Sequence, residues 1–78
     1  QRFDDLDSLS VNQTRIYRYK DLVGGVFEIK NPTKEESYLY LPVFVSRFDN
    51  VQASYCDLNN IPPKKVVTVL IVQRLEDK

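Results

Sequence analysis

The stretch that decides the fold is Gly24–Phe48, with the sequence GGVFEIKNPTKEESYLYLPVFVSRF. Val26–Lys30 carries the β-branched and aromatic residues typical of a strand. Asn31-Pro32-Thr33 follows and predicts a turn, because an Asn side chain bonds to its own backbone and Pro fixes φ for its position. The run Ser37–Phe48 then predicts a second, longer strand. The stretch therefore indicates strand, turn and strand, and none of its residues is an obvious chemical reagent.

The longer predicted strand is apolar on both faces. If its residues alternate, one face carries Leu39, Leu41, Val43 and Val45, and the other carries Tyr38, Tyr40, Phe44 and Phe48. A chain of 78 residues hardly supplies two full apolar layers, so one face is expected to look outward. We expect Tyr38, Tyr40 and Phe44 to form a contact surface for another chain. Pro42 fits an edge position in this strand, since Pro cannot donate to a ladder.

The residues before this stretch divide into an arm and a strand. Residues 1–13 show no clean period and predict an irregular N-terminal arm, which leaves residues 14–78 as a single β domain. Residues 14–21 predict a strand with Ile16 on one side and Tyr17 and Tyr19 on the other. With Arg15 and Arg18, this strand offers a basic and aromatic surface as a further candidate for partner contact. An alternative cover for the tyrosine row of the longer strand is the arm itself, through Phe3, Leu6 and Leu9.

The two glycines of the chain, Gly24 and Gly25, permit a bulge or a tight bend before the next strand.

Residues 46–61 fit two patterns. A helix over 46–60 would place four apolar residues on one stripe, namely Phe48, Val51, Tyr55 and Leu58. Alternatively, Asp49-Asn50 is a hairpin turn and Val51–Leu58 is a return strand, which is the interpretation we favour. The β-branched run Val66–Leu75 predicts a central strand.

The expected core follows from these strands. We expect seven side chains to be largely buried: Ile29, Leu41, Val43, Val45, Val67, Val69 and Ile71. A chain this short forms one domain of marginal stability. Because it begins with Gln and contains no Met, we expect a domain excised from a larger chain or part of an assembly.

Composition argues against most chemistry. With no His, general acid-base catalysis and the usual zinc sites lack their main residue, and Cys56 has no imidazole partner. The glycines do not form a phosphate-binding loop, so no cofactor, metal or enzymatic activity is expected. Eleven basic and eleven acidic side chains balance, which disfavours nucleic acid as a partner. The apolar runs are too short to span a membrane.

Several of these features together resemble a known architecture. The strand and turn Val26–Thr33, the longer strand Tyr38–Arg47, the hairpin and the proline turn Ile61–Lys65 resemble small immunoglobulin-like β-sandwiches. The similar families are the FxLYD-type bacterial accessory domains and the major sperm protein type. Their usual Gly after the last proline is here Lys64. The resemblance covers Val23–Val72 and implies an all-β sandwich of about five antiparallel strands. The alternative fold is α+β, an antiparallel sheet with the helix at 46–60, and it resembles the small linker domains of phycobilisomes.

The function that this resemblance implies is a non-catalytic protein-interaction or structural module. The expected partner is another protein or a second copy of the chain. The alternative from another class is a small nucleic-acid-binding β-barrel. Its basic and aromatic strand would neutralise and stack against a single-stranded nucleic acid through Arg15, Tyr17, Arg18, Tyr19 and Lys20.

Overall fold

A four-stranded antiparallel sheet forms the larger layer of the molecule. The computed structural model describes residues 9–75. In chain order the elements are β1 (Ser10–Tyr19), β2 (Leu22–Lys30), β3 (Ser37–Tyr38), α1 (Leu41–Val45), β4 (Val51–Cys56), β5 (Asn60–Ile61) and β6 (Val66–Arg74). The sheet has the order β1-β2-β6-β4, and β3 pairs with β5 in a separate two-stranded ladder. The chain is thus mostly β with one small helix, as expected in outline.

The core lies on one face of the large sheet, which we call the inner face. Among residues 9–75, nine buried apolar side chains form it: Leu9, Phe27, Ile29, Leu39, Phe44, Ile61, Val67, Val69 and Ile71. Alternate residues of β2 and β6 supply the sheet side, and the segment containing β3, α1 and β5 supplies the covering layer. The prediction of buried residues is confirmed for Ile29, Val67, Val69 and Ile71. Leu41, Val43 and Val45 are only partly buried.

The prediction of one long strand over Ser37–Phe48 is wrong. The strand ends at Tyr38, and Leu41–Val45 forms a five-residue helix in which Pro42 lies in the first turn. Pro is well tolerated there, because its missing N–H would have no helical partner in any case. The helix turns Phe44 into the core, where its ring meets Phe27 edge-on at 5.5 Å between centroids. Pro42 therefore starts a helix and does not mark a sheet edge.

The strand after Asp49 is confirmed, but its expected neighbour is wrong. β4 pairs with β6, with Tyr55 opposite Leu70, and not with the segment that precedes it. The helix over 46–60 is therefore wrong as well. Asn50 takes a left-handed φ of 55° in the connection from α1, a conformation that Asn adopts more readily than most residues.

The first hairpin differs from expectation in two ways. β1 begins at Ser10, so the last residues of the expected arm belong to the sheet. β2 passes through Gly24 and Gly25 without a break, and neither glycine has a positive φ. The irregularity lies in β1 instead, between Gln13 and Arg15. Residues 1–8 of the expected arm lie outside the described part of the chain.

The predicted turn at Asn31-Pro32-Thr33 is confirmed, and Asn31 joins three segments. Its side chain is fully buried. Nδ2 donates to the carbonyl oxygens of Glu35 at 2.7 Å and Ile61 at 2.9 Å. Oδ1 accepts from the Thr33 backbone N–H at 3.0 Å and from Thr33 Oγ1 at 2.6 Å. Its backbone bonds to Lys64 and Lys65, so this one residue ties the end of β2 to β5 and to the start of β6.

Candidate interaction surface

The face of the large sheet opposite the core carries a continuous apolar row. In antiparallel pairs, directly opposed residues lie on the same face. The register therefore places Tyr17, Gly24, Val72 and Ala53 in one cross-strand row and Arg15, Val26, Leu70 and Tyr55 in the next. Tyr19 and Leu22 extend the surface toward the hairpin turn. We call this set of residues the outer face.

The outer face is uncovered within the described residues. β3, α1 and β5 all contribute to the core on the opposite face. Tyr17, Tyr19 and Tyr55 keep 55%, 70% and 61% of their surface accessible, although each stands in a regular strand. Leu22, Val26, Leu70 and Val72 between them are half-buried. A sheet face with this composition is normally covered by a second layer.

A groove of about 310 Å³ runs over the centre of this face. Its lining is made by Tyr17, Arg18, Tyr19, Leu22, Gly24, Leu70 and Val72. Gly24 forms the floor between Tyr17 on one side and Val72 on the other. A Cβ at this position would meet the Leu70 Cδ1 atom at 3.7 Å, an ordinary contact distance. Residue 24 thus places no side chain between the walls of the groove.

Positive charge lies along the β1 side of the groove. Residues 9–20 contain Arg15, Arg18 and Lys20 and no acidic residue. The Lys20 ammonium lies 5.5 Å from the centre of the Tyr19 ring, and Arg18 Nε donates to the Lys20 carbonyl oxygen. Among the described residues, Asp21 approaches Arg74 at 3.8 Å, an exposed contact that contributes little stability. The cations of β1 are not neutralised by a neighbouring carboxylate of this part of the chain.

The structure separates the seven residues that the sequence singled out. Arg15, Tyr17 and Tyr19 lie together on the outer face, and Arg18 lines the groove beside them. Tyr38 and Tyr40 are exposed, but they belong to β3 and to the residue before α1, in the covering layer. Phe44 is 2% exposed, so its expected place in a surface row is wrong. The helical turn at Pro42 is the reason, because it breaks the alternation that would have kept Phe44 beside the tyrosines.

Sequence reasoning missed the rest of the outer face. Tyr55, Leu70, Val72 and Leu22 were not among the candidates. A signal for them was present, since β6 is apolar at consecutive positions from Val69 to Val72. The argument that so short a chain cannot cover two apolar faces applies to β6, whereas it was applied to the segment that became β3 and α1.

Cys56 does not form part of this surface. It lies opposite Val69 on the inner face, packs against the core and donates from Sγ to the Leu58 carbonyl oxygen at 2.9 Å. Burial raises the pKa of its thiol, so the nucleophilic thiolate is scarce near neutral pH. Within residues 9–75, no group of three potential metal-binding side chains comes together.

No family model, curated protein or solved structure matched this chain. In the part of the chain that the structure covers, no helix has both the length and the apolar character that a membrane crossing requires. The assignment of the outer face as an interaction surface therefore depends on its geometry alone.

Proposed function

We propose that this chain is a non-catalytic module that binds another protein through its outer face. The observation that carries the proposal is the uncovered apolar face, with three tyrosines more than half exposed beside a groove. Tyrosines supply large contact areas at a low cost in conformational entropy and are enriched at interfaces. A partner that bound there would supply the cover that residues 9–75 do not give the outer face.

The edge strand β1 supports the same function. All ten of its residues are exposed, and it pairs with β2 alone. A long, exposed edge strand presents unpaired N–H and C=O groups that readily accept another strand. Ile16 shows how little β1 buries, because it points to the inner face and is still 64% exposed. β1 thus contributes little to the core and is available for contact.

Photo-crosslinking at single positions tests the proposal. A benzophenone side chain would replace Tyr19 or Tyr55 on the outer face, and Tyr38 or Tyr40 in matched control variants. All four tyrosines are more than half exposed, so replacement should leave the fold intact. In lysate from the source cells, we expect positions 19 and 55 to crosslink to one common protein and positions 38 and 40 not to do so. Crosslinks from 38 and 40 alone, or from no position, would overturn the proposal.

Binding of single-stranded nucleic acid is a second candidate. The cations Arg15, Arg18 and Lys20 beside Tyr17 and Tyr19 favour it, since such strands combine base stacking with phosphate contacts. A 20-nucleotide oligo-dT probe in a gel shift would test it. With about three phosphate contacts, the logarithm of the affinity should fall with log salt with a slope of roughly −2.

The finer fold assignments remain predictions. The proposed likeness to immunoglobulin-like accessory domains is supported by the antiparallel sheet and by the turns at Asn31 and Lys64. The covering layer consists of two-residue strands and a short helix, which is less than a full second sheet. A protein-binding role does not depend on which family the fold belongs to.

A further inference from the structure

The groove over Gly24 points to a particular kind of partner. We propose that it accepts one apolar side chain from an acidic segment of another protein. This inference rests on the proposed function and adds the chemistry of the segment that binds.

Gly24 is the first step, because the fold itself does not require glycine there. Its φ is not positive, and a Cβ would meet only Leu70 Cδ1, at 3.7 Å. Gly25 differs, since a Cβ there would lie 2.9 Å from Gln13 Nε2 and 3.1 Å from Phe27 Cε1. Glycine inside a strand weakens it and often marks a close approach by a ligand or another backbone. At position 24 no contact among the described residues requires glycine. Close approach by a bound partner is the explanation that remains.

The lining of the groove indicates what enters it. Leu22, Leu70 and Val72 contribute aliphatic surface, and Tyr17 and Tyr19 contribute aromatic walls. A volume of about 310 Å³ is roughly twice that of an engineered apolar cavity of about 150 Å³ that binds benzene. The groove therefore has room for an aromatic or branched aliphatic side chain.

The charges around the groove indicate what flanks that side chain. Arg18 lines the groove, Arg15 lies two residues before Tyr17 on the same face, and Lys20 lies over the Tyr19 ring. Carboxylates in a bound segment would meet these cations, and electrostatic complementarity of this kind sets specificity and association rate. A nucleic acid would use the cations but would leave the aliphatic lining without a matching group. A second copy would present the same positive surface.

A selection experiment tests this inference. A phage-displayed library of random 12-residue peptides is panned against the full chain, and the enriched peptides are measured by fluorescence anisotropy. We expect enrichment of Asp and Glu around a large apolar residue. Gly24→Val should weaken binding at least tenfold, because a branched side chain fills the floor of the groove. Thr68→Val is the matched control on the same face outside the groove, and it should change affinity less than twofold.

Urea denaturation is used to check that the Gly24→Val variant folds. Leu22→Gln, on the groove wall, is the second variant. Peptides without acidic enrichment, or binding unaffected by either groove variant, would overturn the inference. Sedimentation showing a wild-type dimer that Gly24→Val dissociates would assign the groove to a second copy and overturn it too. In each of these cases, crosslinking from positions 19 and 55 tests the proposed function independently of the inference about the groove. Oligo-dT binding that Gly24→Val abolishes would overturn both.

Discussion

Asn31 is the residue on which the connection between the two layers depends. Buried polar groups are costly unless they are hydrogen-bonded, and here both donors and the acceptor of the amide are used. Its partners are mostly backbone groups of the 31–35 turn and of Ile61, so the same side chain shapes the turn and holds β5 beside it. The sequence indicated the turn from Asn-Pro, but the contact with Ile61 is thirty residues away and has no local signal.

Asn31→Ala should lower the free energy of unfolding by roughly 2 to 3 kcal/mol. The substitution removes the side-chain partner of the buried Ile61 carbonyl oxygen and of the Thr33 N–H, and an unsatisfied buried group is costly. The Glu35 carbonyl oxygen loses one bond but still accepts from Thr33 Oγ1. Urea denaturation followed by circular dichroism would measure it. Asn59→Ala, at an exposed position, is the control and should stay within about 0.5 kcal/mol. Equal midpoints for the two variants would show that the Asn31 network does not stabilise the fold.

The left-handed backbone at Lys64 shows which part of a turn can be predicted from the sequence. Lys64 has a φ of 65°, in the left-handed region that favours Gly. Its N–H bonds to the Asn31 carbonyl oxygen at 2.8 Å, and Nζ donates to the Pro32 carbonyl oxygen at 2.7 Å. These bonds help to hold a conformation that costs a non-glycine residue roughly 1 kcal/mol. The turn was predictable from its prolines, whereas the hydrogen bonds that hold Lys64 there were not.

At the scale of elements, the strands with strong local patterns were predictable. β6 and the second half of β2 follow from β-branched density, and β4 follows from the turn residues before it. The segment 37–48 was not, because alternation over Leu39–Val45 also fits a short helix that places Leu41, Phe44, Val45 and Phe48 on one side. Pro42 favours the helix only if it lies in the first turn, and that depends on where the chain leaves β3. The contacts of this segment with the sheet decide where the chain leaves β3.

The glycine pair of β2 gives a prediction at this scale. Gly25→Ala should lower stability by about 1 kcal/mol, because its Cβ would press on the Phe27 ring and the Gln13 amide. Gly24→Ala should leave stability unchanged or raise it by up to about 1 kcal/mol, since alanine reduces the entropy of the unfolded chain without a clash. Thermal unfolding of both variants would compare them. Equal effects would contradict the assignment of the two glycines to opposite faces.

At the scale of the molecule, burial is concentrated on one side of one sheet. The chain extends over 45 × 23 × 15 Å, a shape too thin for a third layer. The sequence predicted that an apolar face would remain uncovered, and residues 9–75 leave the outer face without a cover. It placed that face on segment 37–48, because that segment was expected to be one long strand, whereas Leu41–Val45 forms a helix. The outer face depends instead on the pairing of the central strand β6 with both β2 and β4, which are far from one another in sequence.

Uneven burial predicts uneven local stability. β6 is paired on both sides and buries Val67, Val69 and Ile71, whereas β1 is paired on one side and is exposed throughout. Segments with few buried contacts open at a lower free energy than the global unfolding. We therefore expect the amides of β1 that bond to β2 to exchange with deuterium at least tenfold faster than those of β6. Two-dimensional NMR would resolve them, with the β4 amides that bond to β6 as an internal comparison for a shorter edge strand. Equal protection in β1 and β6 would mean that β1 unfolds only with the whole domain, and that its exposed surface needs no partner to be held in place.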